Sequence, residues 1–295
     1  MPISTKSPAP FKPLRGVRIL SLALNLPGPA ALMRLQALGA RCSKVEPPSR
    51  DPMGLYNRTA YDTLHQGVKV FNADLRTDAG QKAVHRELAR ADVLLTSFRP
   101  SALRKLGMDW ATLHKIYPAL SQVDIVGARG ERAEEPGHDL TYMAEHGLVN
   151  GLDLPPSLFA DMGGSVMAVE AVMGALLHQH LKGKGSHVQV ALGEAAAYLG
   201  LPHSWGMTTP GGAIGGAHAG YRVYACKDGR VAVAALEPHF ALALCTAAGI
   251  ENVDRDTMTA VQTHETIARF LAGLTRRKIN ALAVKRDIPL FTLAK

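Results

Sequence analysis

Three cysteines, Cys42, Cys226 and Cys245, are too few, too widely spaced and odd in number for a disulfide framework or a thiolate metal site. Neither HExxH nor CxxC occurs, so the sequence predicts no metal. Aromatic residues make up only 5% of the chain, which leaves no stacking platform for nucleic-acid bases. The 33 Lys and Arg against 25 Asp and Glu give a formal net charge of +8, yet no Lys/Arg-rich run gathers them. Nucleic acid is therefore not the expected ligand. A phosphate-rich small molecule suits the charge better, and an ordinary solvated basic surface has the same composition. No apolar run approaches the ~20 residues of a membrane span. Met1 to Pro13 is polar and Pro/Ser-rich with no apolar core segment, which argues against a secretory signal. The sequence thus predicts a cytoplasmic protein with no membrane association.

What is present is a 295-residue chain that is 47% hydrophobic, enough for one large domain or two ordinary ones. Apolar strand-like runs at residues 17–22, 41–46, 68–75, 92–96 and 120–126 alternate with helical patterns at 27–39 and 78–90. That rhythm predicts an α/β fold with an open, mostly parallel, Rossmann-like sheet. Helices are expected at residues 139–148 and 164–181, the second an apolar core helix stopped by Gly183-Lys184-Gly185, with a strand at 187–192. Thr208 to Gly220 is glycine-rich and reads as a loop. Tyr221–Cys226 and Arg230–Leu236 form a hairpin across Lys227-Asp228-Gly229. Helices at 238–248 and 265–284 complete a smaller α+β domain. The boundary falls near residue 205, giving domains 1–205 and 206–295.

No GxxxxGK[ST] loop is present, and Gly211 to Gly216 does not follow a strand as a GxGxxG should. Three places can carry acid/base chemistry. His138 precedes a helix that Asp139 can cap, and histidine exchanges protons near neutral pH. Asp161 stands before Gly163-Gly164 at the start of a core helix, where the two glycine amides are candidate donors to a developing oxyanion. Glu237 follows a strand and precedes Pro238. A surface histidine beside a helix cap, a plain capping aspartate and an exposed loop glutamate have the same spacings.

In order along the chain come Pro13-Leu14-Arg15-Gly16-Val17-Arg18-Ile19-Leu20, Pro27-Gly28-Pro29, Leu38-Gly39-Ala40 and Lys44-Val45-Glu46-Pro47-Pro48. Ala91-Asp92-Val93-Leu94, Ser97-Phe98-Arg99-Pro100, Lys105-Leu106-Gly107-Met108 and Gly183-Lys184-Gly185-Ser186-His187-Val188 follow. Together they resemble the family of class III CoA-transferases and α-methylacyl-CoA racemases, from about residue 13 to the C-terminus. The resemblance implies an acyl-CoA substrate, CoA entering as part of that substrate, no tightly bound cofactor, and a homodimer whose chains interlink. It places Lys105, and with it Arg104, near the phosphates of CoA. In transferases of the family, Asp161 corresponds to a nucleophile that forms an enzyme-bound thioester. The racemases also carry Gly-His-Asp and Glu-Pro, here Gly137-His138-Asp139 and Glu237-Pro238. There the His and the Asp flank the α-carbon of a 2-methylacyl-CoA. The presence of His138 favours the racemase, with Glu237 orienting it. CoA transfer between carboxylic acids is the alternative, and a truncated, inactive CoA-binding relative is a third. Family members run past Leu290–Lys295 and return to the large domain, so that return segment is expected to be lacking. The short stretch between His138 and Asp161 implies a differently shaped acyl pocket.

Overall fold

The computed structural model describes residues 11–251 and 253–295; the first ten residues of the Met1–Pro13 stretch lie outside the described residues. Two compact units emerge, Met1–Gly200 and Leu201–Lys295.

In the first unit, β1 (Arg18–Ser21), α1 (Pro27–Ala37) and β2 (Arg41–Glu46) form the opening crossover. Short helices α2 (Met53–Tyr56) and α3 (Arg58–Leu64) lead to β3 (Lys69–Asn72). Then come α4 (Asp78–Leu88), β4 (Val93–Thr96), α5 (Pro100–Lys105), α6 (Trp110–Ile116) and β5 (Ser121–Val126). A 3₁₀ turn at Gly130–Glu134 precedes α7 (Asp139–Glu145), α8 (Phe159–Lys182), β6 (His187–Ala191) and α9 (Leu192–Leu199). The six strands are ordered β3-β2-β1-β4-β5-β6, and every pairing is parallel.

Alternation along the strands builds two cores, one on each face. Ile19, Val93, Leu95, Val123 and Ile125 meet Leu32 and Leu35 of α1 and Ala168, Val169 and Val172 of α8. Leu20 and Leu94 point the other way, to Val84, Leu88, Leu103 and Leu113. Burial on both faces is why the central strands read as continuous apolar runs. Two expectations are corrected. The core helix α8 begins at Phe159, five residues before Gly164. By length and composition α8 is also apolar enough to cross a membrane, although no run that long stood out in the sequence. One of its sides is committed to the sheet, through Ala168, Val169 and Val172.

The second unit starts with α10 (Leu201–Ser204) and has its own antiparallel sheet, β7 (Tyr221–Cys226), β8 (Gly229–Ala234) and β9 (Leu290–Leu293), with β8 central. The remaining helices are α11 (Pro238–Ala248), α12 (Arg255–Thr259), α13 (Val261–Ala272) and α14 (Arg276–Arg286). The single helix expected over 265–284 is two helices, because Thr275 accepts from the Lys278 N–H and starts α14 afresh. Val231, Val233, Leu244, Ile267, Leu271 and Ile279 fill a separate core.

Candidate active site

Between β1 and β4 the strand order reverses, so the loops leaving their carboxyl ends diverge and leave a crevice. A cleft of about 180 Å³ occupies this place. Leu24 and Asn25 line it after β1, Ser97 and Arg99 after β4, and Gly127 after β5. Leu24 N–H donates to Ser97 Oγ at 3.1 Å and ties the two diverging loops together.

Helices α7 and α8 deliver His138 and Asp161 to the same cleft. His138 is the N-cap of α7 in an extended conformation. Its N–H donates to Thr141 Oγ1 at 3.1 Å, and that hydroxyl donates back to the His138 carbonyl at 2.7 Å. The backbone is thereby fixed while the imidazole stays exposed in the cleft. Asp139, expected as the cap, is instead the first residue of α7. Its buried carboxylate accepts from the Asp161 N–H at 2.9 Å, pinning the first turn of α8 to the start of α7.

Asp161 is half-buried. Burial chiefly, and then the charge of Asp139, push its carboxyl up to about 6, while His138 pulls the other way. The expected oxyanion role of Gly163 and Gly164 is corrected. Both lie inside α8, where their amides are spent on carbonyls four residues back.

Of the two expected phosphate ligands, Lys105 ends α5, is exposed, and has no ion-pair partner among the described residues. Arg104 stands 3.6 Å from Glu134, a carboxylate already held by Ser101. Glu237 belongs to the second unit, as the exposed N-cap of α11. Two cleft residues, Arg99 and Tyr142, were not assigned a role from the sequence. For Arg99 the available signal was Pro100, which starts α5 and leaves Arg99 in the loop. For Tyr142 it was the distance of four residues, one helical turn, from His138.

Glu46, Asp51 and His65 also bring possible metal-ligand atoms within 4.8 Å of one another. Lys44 Nζ meets all three and already supplies the positive charge there.

A model of the family described as CoA-transferase family III matches residues 14–294. The chain is 31% identical over 208 residues to cinnamoyl-CoA:phenyllactate CoA-transferase of Clostridium sporogenes, covering 63% of this chain and 50% of that protein. To α-methylacyl-CoA racemase of Mus musculus it is 30% identical over 260 residues, covering 81% and 65%. The chain thus spans about half the length of the first relative and about two thirds of the second. A crystal structure of the hypothetical protein Rv3272 from Mycobacterium tuberculosis matches with a TM-score of 0.82 at 26% identity, over 97% of this chain and 86% of that one.

Proposed function

The chain belongs to CoA-transferase family III, and on that premise we propose that it moves a proton at the α-carbon of a 2-methylacyl-CoA, as a racemase or epimerase. The carrying observation is that one cleft holds an exposed imidazole, His138, and a half-buried carboxyl, Asp161, pushed up to about 6. An α-proton beside a thioester is weakly acidic, so its removal needs a base working near its own pKa. In one direction ionised Asp161 takes the proton, and the C–H electron pair moves into the enolate. Protonated His138 then gives its proton to the other face of the carbon. In reverse, neutral His138 is the base and protonated Asp161 the acid. Asp139 acts through Asp161, by holding its backbone N–H and by disfavouring its charge.

Arg99 in the cleft and Lys105 at the end of α5 supply positive charge for the CoA phosphates and suit a multiply charged ligand. The outward side of α8, with Phe159, Met162, Val166, Met173, Leu177 and Leu181 exposed, supports a homodimer.

Incubation with a 2-methylacyl-CoA in deuterated water tests the reading. Deuterium entering the α-position with loss of stereochemistry is expected, and either His138→Ala or Asp161→Ala should lower it by at least about a hundredfold. Transferase relatives favour a second reading, in which the Asp161 carboxylate attacks the thioester carbonyl and expels the CoA thiolate to form a mixed anhydride. The thiolate then attacks the aspartyl carbonyl, leaving an aspartyl-CoA thioester and freeing the acyl group as a carboxylate. Trapping of an aspartyl thioester by hydroxylamine, with no exchange, would replace the first reading by the second.

A further inference from the structure

A carbanion beside a thioester survives only if its charge is taken up at the carbonyl oxygen, and that oxygen needs a donor. The glycine amides at the start of α8 do not provide one. Tyr142 offers another. It lies in the first turn of α7, four residues beyond His138, and lines the same cleft. Its ring packs against Met143, Ala160 and Ala196 and against the sheet core, which fixes its direction.

The phenolic oxygen sits in a cradle made by two glycines. A Cβ added to Gly127 would lie 2.3 Å from that oxygen, and one added to Gly137 would lie 2.5 Å from it. No other residue type leaves room for it at either place. Despite this close fit, the hydroxyl has no hydrogen-bond partner among the described residues. Nor is it among the buried polar atoms sealed from solvent, and Tyr142 lines the cleft with His138 and Asp161. A held, open and unsatisfied donor beside an acid/base pair is the arrangement an oxyanion requires.

We propose that Tyr142 is a catalytic residue whose hydroxyl donates a hydrogen bond to the thioester carbonyl oxygen of the bound acyl-CoA. This rests on the proton-transfer reading of the cleft. As the α C–H bond breaks, its electron pair moves to that oxygen, and the Tyr142 hydrogen bond shortens. The tyrosine proton stays on tyrosine, and reprotonation of carbon reverses the shift. Burial, and the nearby charge of Asp161, raise the phenol's pKa and keep it in the donor form.

The test uses the full chain, with Tyr142→Phe and Gly137→Ala. Rates of α-deuterium exchange are measured with a 2-methylacyl-CoA. Binding of that thioester is compared with binding of the thioether analogue, which lacks the carbonyl oxygen. Tyr142→Phe should slow exchange by about a hundredfold or more, chiefly in kcat. It should weaken thioester binding and leave thioether binding unchanged. Gly137→Ala, which retains the hydroxyl but fills its cradle, should show the same pattern. Wild-type exchange in Tyr142→Phe, or equal weakening of both ligands, overturns the proposal. If the wild type binds both ligands but exchanges no proton, the proton-transfer reading has failed, and the thioester-against-thioether difference still decides the role of Tyr142. Binding of neither ligand overturns both.

Discussion

Asp161 has the same raised pKa as a catalyst and as part of the fold, so one measurement reports on both. Its ordinary value is 3.8, and the folded chain pushes it to about 6. A carboxyl raised on folding stabilises the native state below its unfolded pKa, and that contribution is lost as pH rises through the folded one. A rise of this size is worth on the order of 2 kcal/mol, allowing for partial exposure. Melting curves from about pH 4 to about pH 8 should therefore show the wild type losing stability relative to Asp161→Asn between about pH 4 and about pH 6, with the difference level above that. A difference that does not change with pH would refute the raised value. Asp139→Asn keeps an oxygen to accept the Asp161 N–H but removes the like charge. The Asp161 pKa should then fall, moving the acid limb of the exchange profile to lower pH. An unmoved limb would mean that burial alone sets the value.

At the scale of elements, the loop after β1 is held from behind. Lys44 on β2 is fully buried, 3.2 Å from Glu46, paired with Asp51 and 2.9 Å from His65 Nε2. Asp51 accepts the N–H of Asn25 at 3.1 Å and that of Met53 at 2.9 Å, and Tyr61 donates to Glu46 at 2.8 Å. Asn25 takes a left-handed φ of 61°, and the cleft wall begins at Leu24 and Asn25. Lys44→Met would leave two buried carboxylates without their cation, a loss of about 3–5 kcal/mol. Urea unfolding should show a lower midpoint at an unchanged slope, and a midpoint near that of the wild type would mean the carboxylates find other partners. The Lys44-Val45-Glu46 motif was legible in the sequence, but this network was not. It depends on α2 and α3, two short helices with too few turns to show a period. The late start assigned to α8 has a different cause. Gly163 and Gly164 read as a helix opening, yet they serve close packing: a Cβ on Gly164 would lie 2.3 Å from Leu192 of α9, and one on Gly163 would lie 3.0 Å from Leu199. A glycine that admits a neighbouring helix and one that ends a helix look alike in a sequence.

Over the whole molecule, the parallel sheet was legible because its central strands are buried on both faces, and His138 and Asp161 stood out by residue type. The position of Tyr142 between two glycines, and the spending of the Gly163 and Gly164 amides, depend on how the helices pack. Strand β9 was missed because four residues, Leu290–Leu293, gain meaning only from pairing with β8, more than fifty residues earlier. That pairing makes the last stretch a structural part of the second unit. Val233↔Leu290 to Arg230↔Leu293 form the ladder, Thr292 donates to Asn280 at 3.0 Å, and Ile288 is buried in the core. Without residues 287–295 the second sheet is a two-stranded ribbon, which is marginal in water, and its core is opened on one side. Among the described residues, the cores of the first unit contain none beyond Ala196. Hydrogen exchange on a chain ending at Arg286 should therefore show β7 and β8 losing protection while β1, β4, β5 and α8 keep theirs. Equal loss in both sets would mean that the first unit depends on the second for stability, and that its two-faced core is not sufficient to hold the cleft in place.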